Sequence, residues 1–422
     1  MEAVAMKFRV GREALGEAVA WVARALSPRP VIPTLAGLLL QADDDGLVLS
    51  CFDYEVSARM RIEANVKEPG LALVPGRLLA EITRSLPSLD VEVASNADSV
   101  TLTCGSAEFD LVSLPVAEYP ELPEPPGPVG TVDGGVLAVA AAQVGPATSR
   151  DDTLPILTAV CLDVDGDTLS LAATDRYRMA VRDLRWDPAV PGLRTAALVP
   201  GKTLAEVART MVPGVPVTVA FGVGESAAGS AGSGPGRDPH PVDGMISFEG
   251  GNRRLTARLI GGEYIKYRSR FSADFGSRAL LPAGSFTEAV RRVSLVAERA
   301  TPVRLTFGSG KVVIEAQTAG RARAVETVTA SFTGDERVIS FDPIYLLDGL
   351  NAAEASAANP RSGSSRDGDE PPDPGQIRLE FSTAAKPALI TWASDEGLNP
   401  GDPASTPAFR YLVVPLRVPA RA

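Results

Sequence analysis

The chain has 422 residues, 45% of them hydrophobic and 22% charged, with a formal net charge of −11 at pH 7. That length supports roughly two to four domains, each with its own core, and the acidic balance argues against nucleic-acid binding through bulk charge. One histidine, His240, and three isolated cysteines, Cys51, Cys104 and Cys161, leave little material for His-based catalysis, a zinc site or a disulfide framework.

In chain order, Arg12–Leu26 carries Leu15, Val19, Val22 and Leu26 at helical spacing. A Pro-rich turn follows at Ser27. Residues 37–42 and 47–51 flank the turn Asp43-Asp44-Asp45-Gly46 as a hairpin, and 53–62 reads as a third strand. The run LVPGRLLAEI (73–82) opens a second helix. Strands at 90–95, 99–104 and 107–112 follow, and Leu114–Tyr119 leads into the linker 121–130. The thiols, all in strand-like surroundings, are expected to be buried and reduced.

The order then repeats. A helix at 136–148 precedes ILTAVCLDVDGDTLSLAATDRYRMAV (156–181), read as two strands around Asp165-Gly166-Asp167 ending in a polar corner at Thr174–Met179. The run LVPGKTLAEV (198–207) nearly copies 73–82, and Leu259–Tyr264 matches Leu114–Tyr119. A third, more diverged copy has a helix at 284–299, strands at 303–307, 311–316 and 321–329, a run from Val338 to Leu347 that opens a second helix at 342–352, strands near 376–382 and 388–393, and the ending Tyr411–Arg417. A period near 140 residues makes each copy a domain rather than a solenoid repeat. The expected fold class is α+β: three tandem similar domains, 1–127, 128–276 and 277–422, each with a sheet on one side and two helices on the other. The segments 223–243 and 353–375, rich in Gly, Ser, Pro and Asp, are expected to be flexible insertions, and 395–407 a further mobile loop.

Charge is unevenly distributed. The six predicted helical segments hold ten basic and eight acidic side chains, a balance of +2, so the rest of a chain of net charge −11 carries −13. If the helices share a face, that face tolerates a phosphate backbone while the exterior repels it.

No catalytic constellation is present. LVPGKTLAE has Gly-Lys-Thr without the upstream Gly of a P-loop. The Asp43–Asp45 run, and Asp163, Asp165 and Asp167, read as hairpin-turn residues rather than metal ligands. No metal or cofactor is expected. No run approaches the ~18 apolar residues of a membrane span. MEAVAMKFRV lacks a basic-then-apolar leader, which predicts a cytoplasmic chain, with Met6 a candidate natural start.

Three tandem units with this helix start resemble the bacterial DNA polymerase III β subunit family, the sliding clamps, in an actinobacterial form. The motifs are Met6-Lys7-Phe8, RPVIP (29–33), GLLL (37–40), SRDDTLP (149–155), ATDRYRM (173–179) and YLVVPLR (411–417), in family order and spacing. The resemblance implies a head-to-tail homodimer, a ring with helices lining the hole and antiparallel sheets outside. Duplex DNA passes through it without base readout, on the bacterial nucleoid. It also implies a processivity role with no catalytic site, polymerase activity belonging to the holoenzyme. The implied partners are the polymerase III α subunit, the clamp loader and other clamp-binding proteins, which dock short linear peptides. The implied peptide pocket comprises Leu157, Thr174, Arg176, Arg178, Met179, Tyr345, Pro387, Val413, Val414, Pro415, Leu416 and Arg417. Implied DNA contacts are Arg29 and Arg150, with Arg24, Arg77, Lys202 and Arg209 added from their helix positions. Two departures from the family pattern, Ile265 in place of Pro within Tyr264–Tyr267 at an edge of the implied pocket and the pair Arg176-Tyr177, keep open a diverged paralogue with a repair or inhibitor-resistance role.

Overall fold

The computed structural model describes residues 4–96, 98–222, 241–242, 244–271, 275–298, 301–318, 320–358, 375–394 and 406–416. The predicted insertion 223–243 and the loop 395–407 lie almost wholly outside the described residues. The start of the other predicted insertion does not: the helix Pro343–Glu354 continues as a 3-10 turn, Ala355–Ala358.

All six predicted helices form, as Arg12–Val22, Gly76–Ser85, Gly134–Val144, Gly201–Thr210, Ala283–Ser294 and Pro343–Glu354. They pack in sequential pairs, one pair per sequence repeat. Each buries one stripe; the first covers Leu15, Ala18, Val19, Trp21 and Val22. The repeated Pro-Gly at the second-helix starts has a steric cause. A Cβ on Gly76 would lie 2.5 Å from the Leu26 side chain, and one on Gly201 would lie 2.9 Å from the Thr158 carbonyl oxygen. The first turn of each second helix therefore closes directly against the segment after the first helix or its neighbour.

Two compact units result: residues 1–131 with 215–222 and 244–259, and residues 132–214 with 223–243 and 260–422. The sheets do not stop at repeat boundaries. In the first unit, Arg253–Arg258 of the second repeat pairs antiparallel with Val56–Ile62 of the first. In the second unit, Arg178–Arg185 pairs antiparallel with Phe409–Val413 of the third repeat, within a ten-stranded sheet. Each repeat thus gives strands to a shared sheet, and the strands that meet at a repeat boundary leave no exposed edge there.

Two smaller sheets keep a free edge among the described residues. Ala107–Val112 is the last strand of a five-stranded sheet in the first unit, and Ala322–Thr329 is the outer strand of a four-stranded sheet in the second. Val4, ahead of Met6, exchanges both backbone hydrogen bonds with Leu71 at 3.0 Å.

The stretch 156–181 differs from its expected form at its start. Pro155–Thr158 is a single helical turn, since Pro155 suits a first helical position and supplies no ladder N–H. The strands are Ala159–Asp165, Thr168–Thr174 and Arg178–Arg185, joined antiparallel. Cys51, Cys104 and Cys161 are buried free thiols, and burial pushes Cys51 up to about 12.

Candidate functional site

The polar corner between Thr174 and Arg178 is built by its own side chains. The Asp175 carboxylate accepts the backbone N–H groups of Tyr177 and Arg178, each at 3.0 Å. The Thr174 hydroxyl donates to the Arg178 carbonyl at 2.7 Å and accepts the Arg176 N–H at 3.2 Å. These bonds hold Arg176 at φ 79°, in the left-handed region that a non-glycine residue enters only under constraint.

Arg178 turns inward. It is 7% exposed, its Nε donates to Asp175 at 3.0 Å, and its guanidinium pairs with Asp348 on the helix Pro343–Glu354. The guanidinium carbon also lies 4.4 Å from the Tyr345 ring centroid. Burial opposes its charge, but Tyr411, Asp348 and Asp175 outweigh that and raise its pKa. Tyr345 sits in the helix's first turn, where Asp342 caps Ile344 and Tyr345. Its ring stacks on Tyr177, centroids 6.2 Å apart. Tyr411 donates to the Tyr345 carbonyl at 2.9 Å.

The C-terminal segment completes the corner. Val414 N–H donates to the Tyr177 carbonyl at 2.8 Å, and Leu416 N–H to the Ser340 carbonyl at 2.7 Å. Cross-strand rows run Arg178, Val413, Ala388 and Thr174, Met179, Leu412, Leu389. Pro387 immediately precedes the first row and is exposed. Neighbouring residues of a strand face opposite sides. Arg178 accordingly meets the helix, whereas Met179 joins Leu412, Leu389 and Tyr267 in a cluster on the other face.

Of the twelve pocket residues expected from the sequence, Thr174, Arg176, Arg178, Met179, Tyr345, Val413, Val414, Pro415 and Leu416 gather around this corner, and Pro387 flanks it. Leu157 is buried in the one-turn helix. The adjacent Ile156 approaches Gly262, where an added Cβ would lie 3.1 Å from its Cδ1. Arg417 lies outside the described residues. The expected pocket left out Asp175 and Tyr177, although both stand in the Thr174–Met179 corner, and it left out Asp348 and Tyr411; Asp348 meets Arg178 across 170 residues, and Tyr177 accepts from Val414 across a longer span still. The segment 260–271, singled out in the sequence by Ile265 in place of Pro, brings Tyr267 into the cluster that holds Met179 and Leu412 and packs Tyr264 against it.

The basic candidates fall at the helix starts and the turns they touch. In the first unit the exposed Arg77, at the start of its helix, donates to the Ser27 carbonyl at 3.3 Å, close in sequence to exposed Arg24 and Arg29. In the second unit exposed Lys202 occupies the equivalent helix start. Its neighbour Gly201 abuts Thr148, two residues before exposed Arg150. Arg209 stands at the opposite end of that helix and pairs with Glu206 at 3.5 Å. The acidic residues of these hairpins are paired with arginines: Asp43 with Arg61, Asp163, inside its strand, with Arg268, Asp165 with Arg194 and Asp167 with Arg185. Among the described residues no cluster of acidic, His and Cys side chains could hold a metal ion, and no helix is long and apolar enough to cross a membrane.

Residues 6–123, 131–266 and 269–360 match, in that order, the N-terminal, central and C-terminal domains of the DNA polymerase III beta subunit. The chain is 45% identical to the beta sliding clamp of Streptomyces coelicolor over 98% of its own length and all of that protein. It is 45% identical to the Micrococcus luteus beta sliding clamp over 76% of this chain and 98% of the other. Among solved structures, the DNA polymerase sliding clamp from Bacillus subtilis superposes with a TM-score of 0.81 at 25% identity, covering 98% of this chain and 100% of that one.

Proposed function

The chain belongs to the DNA polymerase III beta subunit family, and from that premise we propose that it is the replicative sliding clamp. In this role it encircles duplex DNA and tethers the polymerase, adding processivity rather than chemistry. The observation that carries this reading is the match of all three tandem domains in family order. Near-full-length identity of 45% to a clamp favours this role over that of a diverged paralogue.

A ring needs two copies. The free edges Ala107–Val112 and Ala322–Thr329 support a head-to-tail pair in which one strand of each protomer joins its partner's open edge. Val112, 73% exposed, and Val325, 47% exposed, are the apolar side chains such pairing would cover. The basic helix starts, Arg77 with Arg24 and Arg29, and Lys202 with Arg150, are suited to phosphates, whose contacts position a duplex without reading its sequence. Arg209, already paired, is a weaker contact.

The partner site is the corner at 174–179. Val414, Leu416 and Pro387 offer apolar surface beside the buried Met179 and Leu412, and the Tyr177–Tyr345 stack offers an aromatic rim. Arg178 is engaged by Asp175 and Asp348 and supports this rim from behind. The clamp loader, the polymerase α subunit and other clamp-binding proteins would share the site through short peptides. The test is light scattering combined with fluorescence anisotropy of a labelled peptide from the polymerase α subunit. A dimer mass with one peptide site per chain supports the reading. A monomer at micromolar concentration with no peptide binding contradicts it.

A further inference from the structure

The segment 260–271 crosses one face of the ten-stranded sheet and is fastened there mainly by side chains. Its backbone contributes the bond from Ile260 N–H to the Leu198 carbonyl, at 2.9 Å. Tyr264 O–H donates to the Ala172 carbonyl at 3.2 Å. Tyr267 O–H donates to the Asp163 carboxylate at 2.6 Å, and Arg268 donates to the same oxygen from Nη2 at 2.7 Å and from Nε at 3.2 Å. Arg410, paired with Asp183, lies over the Phe271 ring at 5.3 Å.

Asp163 is the unusual member. It is 2% exposed, on a strand whose other residues up to Val164 are buried and apolar. A buried carboxylate carries a large desolvation cost unless charge and hydrogen bonds compensate it. Among the described residues, the side-chain donors that compensate this one, on Tyr267 and Arg268, come from the crossing segment. An apolar residue would fill the position at less cost but could not tie the segment down.

We propose that Asp163 is a positioning residue of the partner site: it fixes 260–271 on the sheet, and through Tyr264 and Tyr267 it sets the wall that flanks Met179 and Leu412. The inference rests on the peptide-site reading above. Without the carboxylate, the ordering entropy of the segment is no longer offset. The fraction of molecules with a formed wall then falls, and apparent affinity falls with it.

The test uses the full-length protein and a fluorescein-labelled peptide from the polymerase α subunit. Asp163→Asn keeps the shape, removes the charge and sets an amide N–H₂ against the donors of Tyr267 and Arg268. The dissociation constant should rise roughly three- to thirtyfold, and amide exchange at 264–271 should quicken, while the dimer mass is unchanged. Tyr267→Phe removes one hydroxyl, leaves the Asp163–Arg268 pair intact and should weaken the peptide less but in the same direction. It decides the matter if Asp163→Asn does not fold. Asp43→Asn, which breaks the Arg61 pair in the other unit, should leave peptide affinity and exchange at 264–271 at wild-type values. Wild-type binding with an unchanged dissociation constant in Tyr267→Phe and in any folded Asp163→Asn overturns this inference alone, even if the variants melt earlier. Failure of the wild type to bind the peptide overturns the site reading and this inference together.

Discussion

Arg178 is held on three sides, by Asp175, Asp348 and the Tyr345 ring. Lysine cannot reproduce that fork, so Arg178→Lys should cost about 2 kcal/mol in urea unfolding, close to the loss in Arg178→Ala. Arg176 isolates a backbone effect at the same corner. With φ at 79°, Arg176→Gly should be about 1 kcal/mol more stable than Arg176→Ala, because only glycine occupies that region without strain; paired denaturation curves measure the difference. Gly349 tests packing. A Cβ there would lie 2.6 Å from two ring carbons of Tyr411, so Gly349→Ala should lower stability by about 1–3 kcal/mol despite alanine's better helix propensity. The residues of the corner were legible in ATDRYRM, but their orientation was not. From the sequence Arg178 faced a peptide, because nothing local marks Asp348 as its partner. Asp163 read as a hairpin-turn residue, because its ligands lie on a segment more than a hundred residues later.

At the scale of elements, the helices were the most legible part. Their apolar spacing and the duplicated Leu-Val-Pro-Gly start fix them locally, and the close approach at Gly76 and Gly201 explains why that start recurs. Strand partnership was not legible. Nothing in the sequence shows that Arg253–Arg258 and Phe409–Val413 each join a sheet begun in another repeat, since register depends on long-range pairing. The one-turn helix Pro155–Thr158 was hidden in an apolar run whose periodicity does not separate a short helix from a strand. The free edges carry their own test. Val112→Lys together with Val325→Lys places charge on both exposed strands, and the dimer dissociation constant should rise at least about a hundredfold. Sedimentation equilibrium reads this directly, and an unchanged dimer would remove these strands from the interface.

At the scale of the whole molecule, a chain of net charge −11 is proposed to hold DNA by enclosure, with a few phosphate contacts from Arg29, Arg77, Arg150 and Lys202. Such contacts make affinity for open DNA salt-dependent, and each one lost should flatten the logarithmic salt slope by about 0.9. Arg77→Ala and Lys202→Ala should each show this in a filter or anisotropy titration, with equal effect on unrelated duplex sequences. Enclosure behaves differently, because a closed ring leaves DNA only by opening or by running off an end. The decisive measurement is retention on nicked circular DNA after loading, in salt high enough to abolish binding of the unloaded protein. A clamp that holds DNA by enclosure stays on the intact circle and departs once a single cut frees the ends. Equal retention on circle and linear DNA, or loss from both at that salt, would contradict enclosure.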